Sequence, residues 1–471
     1  MPAFIILPTQ LYYKKLPTTY NYFLIEHPVH FLYHNYNKAK LLMHRYTMRK
    51  YYKHVKKTNK IQYIDVNSHG IEDIFKKHKE ITTYDPVDHY VTDHFVTLAK
   101  KYKCTIKFTA SPGWIDGSIS YNGGRVQTNF YRWQRTRLNL FPNKMNPLTY
   151  DDQNRDPFDD LSKVDKGVVM KHSDEEYKSA ISYVKKNFPN NPGNCEYWLP
   201  SDHQEAVNHL HKFFKHRFHD FGQYEDAIHP DVMFGYHSVM SPIINIGLLT
   251  PDFIISEVKK VYKKYPFQSV EGFIRQIIGW REYCRFIYCT DGPMYGNRFG
   301  ASKPLPKYWY DESKSQAPKI ILDLISKSWD IGYLHHIERL MIISNFLTYT
   351  EIRPDHCYKW FMSAFLDSYH VFMDTNLYGM AMDVVNKSKK YQCPYRLPKN
   401  WNIYKDLTKS NKPSKNYMSN RMYICSSNYI KKMGWPISKD DANIFDELYR
   451  KFVKKNKKYL LSNYANSRNV H

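Results

Sequence analysis

Along the first hundred residues, short apolar runs alternate with stretches in which apolar side chains recur every three or four positions. The runs "AFIILP" from Ala3, "IQYIDV" from Ile61 and "TIKFTA" from Thr105 are strand-length and rich in β-branched and aromatic residues. Between them, "YNKAKLLMHRYTMRKYYKHV", "GIEDIFKKHKE" and "HYVTDHFVTLAKKYKC" carry helical spacing. Strand and helix in alternation predict a parallel α/β layer. From Ser111 to about Cys195 the periodicity fades, Gly, Pro, Asn and Asp become frequent, and "NNPGN" marks a break. Beyond Cys195 nearly every segment reads as helix. Examples are "SDHQEAVNHLHKFFKHRF", "TPDFIISEVKKVYKKY" with Thr250 as N-cap and Pro251 at the first helical position, "LHHIERLMIISNFL" and "CYKWFMSAFLDSYHVFM". The pattern divides the chain into an α/β domain (1–120), a connecting segment with short helices (121–195) and a large all-helical domain (196–471).

The opening "MPAFIILPTQLYY" lacks a basic leader and runs into polar sequence, so it reads as a first strand rather than a signal peptide. No apolar stretch is long enough to span a bilayer, and the expectation is a soluble, intracellular protein with no membrane partner. A hydrophobic share of 42% with 16% aromatics excludes a disordered chain. The formal net charge of +24 implies a polyanionic partner, most economically nucleic acid. Seven cysteines without a C-x-x-C pair fit a reducing compartment and free thiols.

Residues 270–288, "VEGFIRQIIGWREYCRFIY", pose the sharpest question. Val270, Phe273, Ile274, Ile277, Cys284 and Tyr288 form one apolar side. Gln276, Trp280 and Tyr283 make a second stripe suited to hydrogen bonding and base stacking. Gly279 costs the helix about 1 kcal/mol relative to Ala, which points to a close approach at that position. Elsewhere "HSVMSP" sets Ser238 and Ser241 three apart before a helix, where hydroxyls and free N–H groups converge on phosphate. His335 and His336 are adjacent, about 100° apart on a helix, and so are not the i, i+4 pair of a zinc site. The irregular run His203, His209, His211, His216 and His219 reads as solvated helix surface.

The segment "FIRQIIGWREYCRFIY" resembles the Gln-x-x-Gly-Trp-Arg-Glu helix of the photolyase/cryptochrome family, in the branch of bacterial (6-4) photolyases that carry an iron–sulfur cluster. "RFHDFGQYEDAIHPD", "HSVMSPIINIGLLTP", "YLHHIERLM", "WFMSAFLDSYHVFMDTNLYGM" and "SSNYIKKM" follow in that branch's order. The resemblance implies a Rossmann-like N-terminal domain and a helical FAD-binding domain. It places Tyr224, Asp226, Ser238, Ser241, Asn245, Arg275, Arg281, Arg339, Asp367 and Asn376 around FAD, Gln276, Trp280 and Tyr283 at a DNA lesion, and Trp360 next to the flavin as electron donor. Trp309, Tyr310 and Trp329 read as packing residues first and relays second, and Phe361 stands where a redox-active Tyr sits. His336, with His335 second, matches the histidine that acts as general acid in (6-4) repair.

The implied activity is light-driven repair of (6-4) photoproducts in UV-damaged DNA by a monomer. A cryptochrome-like photoreceptor, a cyclobutane-dimer photolyase and a non-catalytic DNA-binding scaffold are the alternatives. The chain departs from the branch in two places. No cysteine lies between Cys289 and Cys357 or after Cys425, so no iron–sulfur cluster is expected. The residues after the first strand read Pro8-Thr9-Gln10-Leu11 in place of Gly-Asp-Gln-Leu, which leaves an antenna chromophore undecided.

Overall fold

The computed structural model describes residues 1–115, 120–164, 167–292, 294–311, 315–382, 386–387 and 424–456. Five short strands form a fully parallel sheet: β1 (Ala3–Ile6), β2 (Asn21–Ile25), β3 (Ile61–Ile64), β4 (Glu80–Tyr84) and β5 (Thr105–Thr109), in the order β3-β2-β1-β4-β5. Helices Lys38–Lys56, Gly70–Lys77 and His89–Lys101 make the crossovers, as parallel neighbours require. The chain builds outward from β1 to β3 and then restarts at β4 on the other side. That reversal leaves a crevice at the strands' carboxyl ends between β1 and β4, the usual place for a ligand in such sheets. β2 and β4, in "NYFLI" and "EITTY", have no counterpart among the sequence expectations.

Side chains alternate across β1 with the period of two that a pleat imposes. Ala3 and Ile5 join a small core with Ile71, Ile74, Phe75, Phe95 and Leu98 under the crossover helices. Phe4 and Ile6, with Tyr22 and Leu24 of β2, face the other way and merge with the large core that runs through the helical half. The two halves are also joined by polar contacts. Asn37 caps its helix at Ala39 N (2.9 Å), while its Nδ2 donates to the Trp329 carbonyl (3.1 Å) and its own N–H to the Ser363 carbonyl (2.8 Å). Leu11 N donates to the Ile246 carbonyl at 2.9 Å.

The helical half follows the expected caps: the Asp202 side chain accepts from Glu205 N, and Thr250 from Phe253 N with Pro251 behind it. Between Cys195 and the sheet lie two longer helices, Gln127–Arg137 and Glu175–Asn187, and three single 3-10 turns. The helix that begins at Phe267 does not stay α-helical. Over Arg275–Arg281 it widens to a π-helix and then resumes as Glu282–Asp291. Two more π-helical stretches occupy Glu338–Ser344 and Asp374–Ala381. Such widenings break the regular ladder and cluster at functional sites. Here they carry Arg275, Gln276, Trp280 and Arg281 in the first, Arg339 in the second and Asn376 in the third.

Gly279 has the reason the sequence asked for. A Cβ there would lie 3.0 Å from Tyr131 Cδ2 and 3.1 Å from Gln127 Nε2, because the helix Gln127–Arg137 is pressed against it. Gly279→Ala gains about 1 kcal/mol of helix propensity but overpacks a tight seam at a cost of about 1–3 kcal/mol. The variant is therefore expected to unfold at lower urea. A raised midpoint would show that the neighbouring helix yields freely.

Candidate active site

The residues singled out from the sequence fall into three groups. In the first, Asp367 is the hub. Arg339 Nη1 reaches its Oδ1 at 2.8 Å, Ser241 Oγ donates to its Oδ2 at 2.7 Å, and Asn245 Nδ2 donates to its backbone carbonyl at 3.1 Å. The short helix Ser241–Asn245 supplies two of these donors. Arg339 Nε is satisfied by the Leu334 carbonyl, and the guanidinium lies 4.1 Å from the Phe365 ring centroid. Yet Arg339 Nη2 and the adjacent Ser368 Oγ are buried without a hydrogen-bond partner. Buried polar groups are normally satisfied, so these donors point to a hydrogen-bond acceptor at the site.

Nearby, Arg281 stacks on Trp114, 3.9 Å from its ring centroid, and its Nε and Nη1 also lack hydrogen bonds. Burial pushes its guanidinium pKa down to about 10, against the opposing charge of Glu282. Arg281, Asn245, Tyr369 and Phe372 close one side of the crevice at the carboxyl ends of β1 and β4, with Thr9, Gln10 and Asp85 on the other. The crevice is partly open and holds a void of about 40 Å³, room for one or two waters. Ser238 is apart from Asp367 in its contacts: its carbonyl accepts from His209 Nε2 at 3.1 Å.

The second group is built on Glu225, a buried carboxylate. Gln276 Nε2 donates to it at 2.7 Å, Asn154 Nδ2 at 2.9 Å and Arg275 Nη2 at 3.3 Å. Burial raises its pKa, but the Arg275 and His336 charges and the Asn154 hydrogen bond outweigh that and hold it below the usual value. Arg275 also pairs with Asp151 at 3.0 Å and Glu271 at 3.3 Å. It therefore sits in an ion-pair network away from Asp367, and Gln276 is engaged by the same carboxylate.

Next to Glu225, Asp226 bonds His336 Nε2 at 3.2 Å and Tyr429 OH at 3.3 Å, with Arg155 Nε at 3.6 Å. Asp226, expected beside the serines, is thus the partner of the histidine. The His336 side chain is 46% exposed, whereas His335 is 3% exposed. Loss of water around the ring pushes the His336 pKa down, but the Asp226 hydrogen bond and charge, with Glu225 behind them, overcome this and raise it. His335 moves the opposite way, well down through burial and the His237 charge. His237 itself, missed from the sequence because it lies a hundred residues upstream, packs on both: ring centroids are 4.0 Å from His335 and 5.5 Å from His336. Burial holds it at about 4. Tyr224 lies at the edge of this group, stacked on Tyr236 at 5.3 Å.

In the third group Trp280 Nε1 donates to Asn376 Oδ1 at 2.9 Å, and Asn376 Nδ2 to the Phe372 carbonyl at 2.9 Å. Tyr283 requires a correction as a lesion contact. It is fully buried, its hydroxyl donates to the Arg125 carbonyl, and its ring packs on Phe130 and Phe286, because the helix winds it into the core rather than onto the surface. The histidine run is likewise not uniformly solvated: His209 is 1% exposed, held by the Ser238 carbonyl.

Trp360 is fully buried, 4.9 Å from Trp309 and 6.1 Å from Trp329, and both Trp360 Nε1 and Trp329 Nε1 donate to the Trp309 carbonyl. Tyr310 extends the row at 5.9 Å from Trp329, and Phe361 packs on Trp360 at 5.2 Å. Of the cysteines, Cys425 lies 3.4 Å from Asn345 Nδ2, and Cys393 is outside the described residues.

A parallel sheet with its switch point between β1 and β4, joined to a large helical half, is the fold shared with photolyases and cryptochromes, and the chain belongs to the photolyase/cryptochrome family. Within it, residues 4–198 match the deoxyribodipyrimidine photo-lyase-related protein family. The chain is 30% identical over 369 residues to a (6-4) photolyase of Agrobacterium fabrum, covering 76% of this chain and 68% of that one. An uncharacterized protein of Acanthamoeba polyphaga mimivirus is 41% identical over 114 residues, 23% of this chain and 85% of that protein. The fold is shared with a bacterial class III photolyase from Agrobacterium tumefaciens (TM-score 0.52, 14% identity, 99% of this chain and 90% of that one). It is also shared with the cryptochrome of Synechocystis (TM-score 0.54, 15% identity, 96% and 99%). Members of the family generally bind FAD. No helix among the described residues is long and apolar enough to cross a membrane.

Proposed function

We propose that this chain is an FAD-dependent DNA photolyase that repairs (6-4) photoproducts. The observation that carries the reading is the juxtaposition, on one helical segment, of a half-exposed His336 paired to Asp226 and a buried Arg339 paired to Asp367 one turn further on. The donor set fits a flavin: Ser241 and Asn245 orient Asp367, and Arg339 Nη2, Ser368 Oγ and the Arg281 nitrogens are buried donors awaiting acceptors. FAD held there would supply the blue-light-driven electron transfer that repair needs.

The protein's own part is to hold and protonate. Asp226, itself bonded by Tyr429, holds the His336 Nε2 proton and favours the charged ring, whose other proton, on Nδ1, is the one a lesion oxygen would accept. Trp280, half-buried and braced by Asn376, offers a face for stacking. The +24 net charge supplies phosphate affinity. Flipping a damaged dinucleotide costs less than flipping intact bases, which gives lesion selectivity without sequence readout. The row Trp360, Trp329 and Tyr310, buried at its first two members and partly exposed at the third, is the route by which the flavin would be reduced. The reading includes no iron–sulfur cluster, on the spacing of the cysteines, and a monomer acting on UV-damaged DNA.

The test is repair of one (6-4) lesion in a short duplex by flavin-reduced protein, under blue light and in the dark. Restored thymines only in the light are expected, and His336→Asn is expected to keep its flavin while losing about a hundredfold or more in repair, the usual worth of a general acid. Flavin-loaded, photoreducible protein that leaves the lesion intact would overturn the assignment.

A further inference from the structure

Among the described residues one set of three His, Cys, Asp or Glu side chains has its ligand atoms close enough to hold a metal ion: His237, His335 and His336, with those atoms all within 4.8 Å of one another. The adjacent pair does not make such a site by itself. The third imidazole arrives from the segment just before Ser241 and packs on both rings. We infer that these three histidines form a binding site for a divalent transition metal of the imidazole-preferring kind, Zn²⁺ or Cu²⁺.

The hydrogen bonds around the cluster are those that orient metal-binding imidazoles. His237 Nε2 is bound to the Glu225 carbonyl at 2.8 Å and His336 Nε2 to the Asp226 carboxylate at 3.2 Å, which leaves Nδ1 of each ring for a metal. His335 accepts the Ile337 N–H on Nδ1 at 3.1 Å, and its buried Nε2 makes no well-formed hydrogen bond, with only the Glu225 backbone within reach of the ring. A ring nitrogen without a well-formed hydrogen bond, on a side chain 3% exposed, is the second sign that something belongs there. Capture of the metal shifts the His335 proton from Nε2 to Nδ1 and releases the Ile337 N–H, at the cost of one backbone hydrogen bond. Metal–nitrogen bonds of about 2.0–2.1 Å set tetrahedral ligands about 3.3 Å apart, so the rings must close in by rotation. Three imidazoles leave a fourth position for water, on the side where His336 is exposed.

The site goes beyond the repair reading, and binding does not depend on it. If that reading holds, a metal on His336 competes with a lesion for the same ring and acts as an inhibitor.

The full chain as purified is titrated with ZnCl₂ by calorimetry and with CuCl₂ by electron paramagnetic resonance. One tight equivalent is expected, with nitrogen superhyperfine structure on the copper signal. His237→Asn and His336→Asn should each weaken it at least tenfold. The half-exposed position of His336 makes the second variant safe for folding, and circular dichroism checks the first. His211→Ala, on the surface of another helix, should change nothing. Absence of a tight equivalent, or one that survives both cluster variants or is lost with His211→Ala, overturns the site. Since neither readout involves light or DNA, failure here is distinct from failure to repair.

Discussion

Asp367→Ala is expected to cost about 3–5 kcal/mol of stability and to strip the protein of flavin. The magnitude is that of breaking a buried ion pair from one side. Asp367 and Arg339 are only 11% and 14% exposed, and removing the carboxylate leaves the guanidinium with the Leu334 carbonyl and two ring faces as its sole described company. Ser241 Oγ loses its acceptor in the same step. Asp367→Asn keeps the shape and one acceptor oxygen, so its loss should be smaller. Urea denaturation reports the first effect, and flavin absorbance per chain after gel filtration the second. An alanine variant that melts at the wild-type urea concentration and stays yellow would show that the pair organises neither the fold nor the cofactor.

Acid should unfold the protein between about pH 6 and pH 4. Where the helix His89–Lys101 and the segment around His30 meet the helical half, His27, His30, His44 and His370 are all held well below the usual histidine value, first by burial and then by neighbouring charge. His34 and His89 are held at about 4, again by burial. A histidine depressed in the folded state is neutral in both states above pH 6.5 and makes no difference there. As the pH falls from 6.5 toward 4, the unfolded chain takes up the proton first and stability drains away. For His34 and His89 the full drop is on the order of 3 kcal/mol each, against a total of about 5–15 kcal/mol for a typical domain. Asp88 opposes this, since burial raises it to about 7 and its folded form holds a proton through the same window. One carboxyl does not balance six imidazoles. Thermal melts across pH 7.5 to 4.5 should show a steep fall in Tm, and a flat profile would mean that water reaches these rings.

How much of this was legible beforehand depends on what each residue interacts with. The crossover helices and three of the five strands could be read because their apolar spacing is local. β2 and β4 could not: "NYFLI" is buried on both faces and shows no alternation, and "EITTY" owes its burial to neighbours on either side rather than to its own composition. The Arg339–Asp367–Ser241 group followed from motifs spread over more than a hundred residues, which spacing alone does not connect. Asp226 and Arg275 were assigned to the flavin, but the fold turns them toward His336 and Glu225. Tyr283 lies on the stripe a regular helix would expose, and the π-helical stretch just before it shifts the register that carries it inward. His237 carried no signal of its own. It sits in an ordinary turn before Ser241, and only the folded chain brings it against the histidine pair.

The face of the sheet formed by Phe4, Ile6, Tyr22 and Leu24 shares its core with Leu41, Leu42 and Met48 of the helix Lys38–Lys56 as well as with the helical half, and Leu11 finds its hydrogen-bond acceptor only at Ile246. During synthesis at about 5–20 residues per second, that partner emerges on the order of ten seconds to most of a minute after the first strand. For that interval the surface through which the α/β layer meets the helical half is made but unpartnered. The layer must therefore hold together on its own helices, Lys38–Lys56 above all, until the chain delivers the other half.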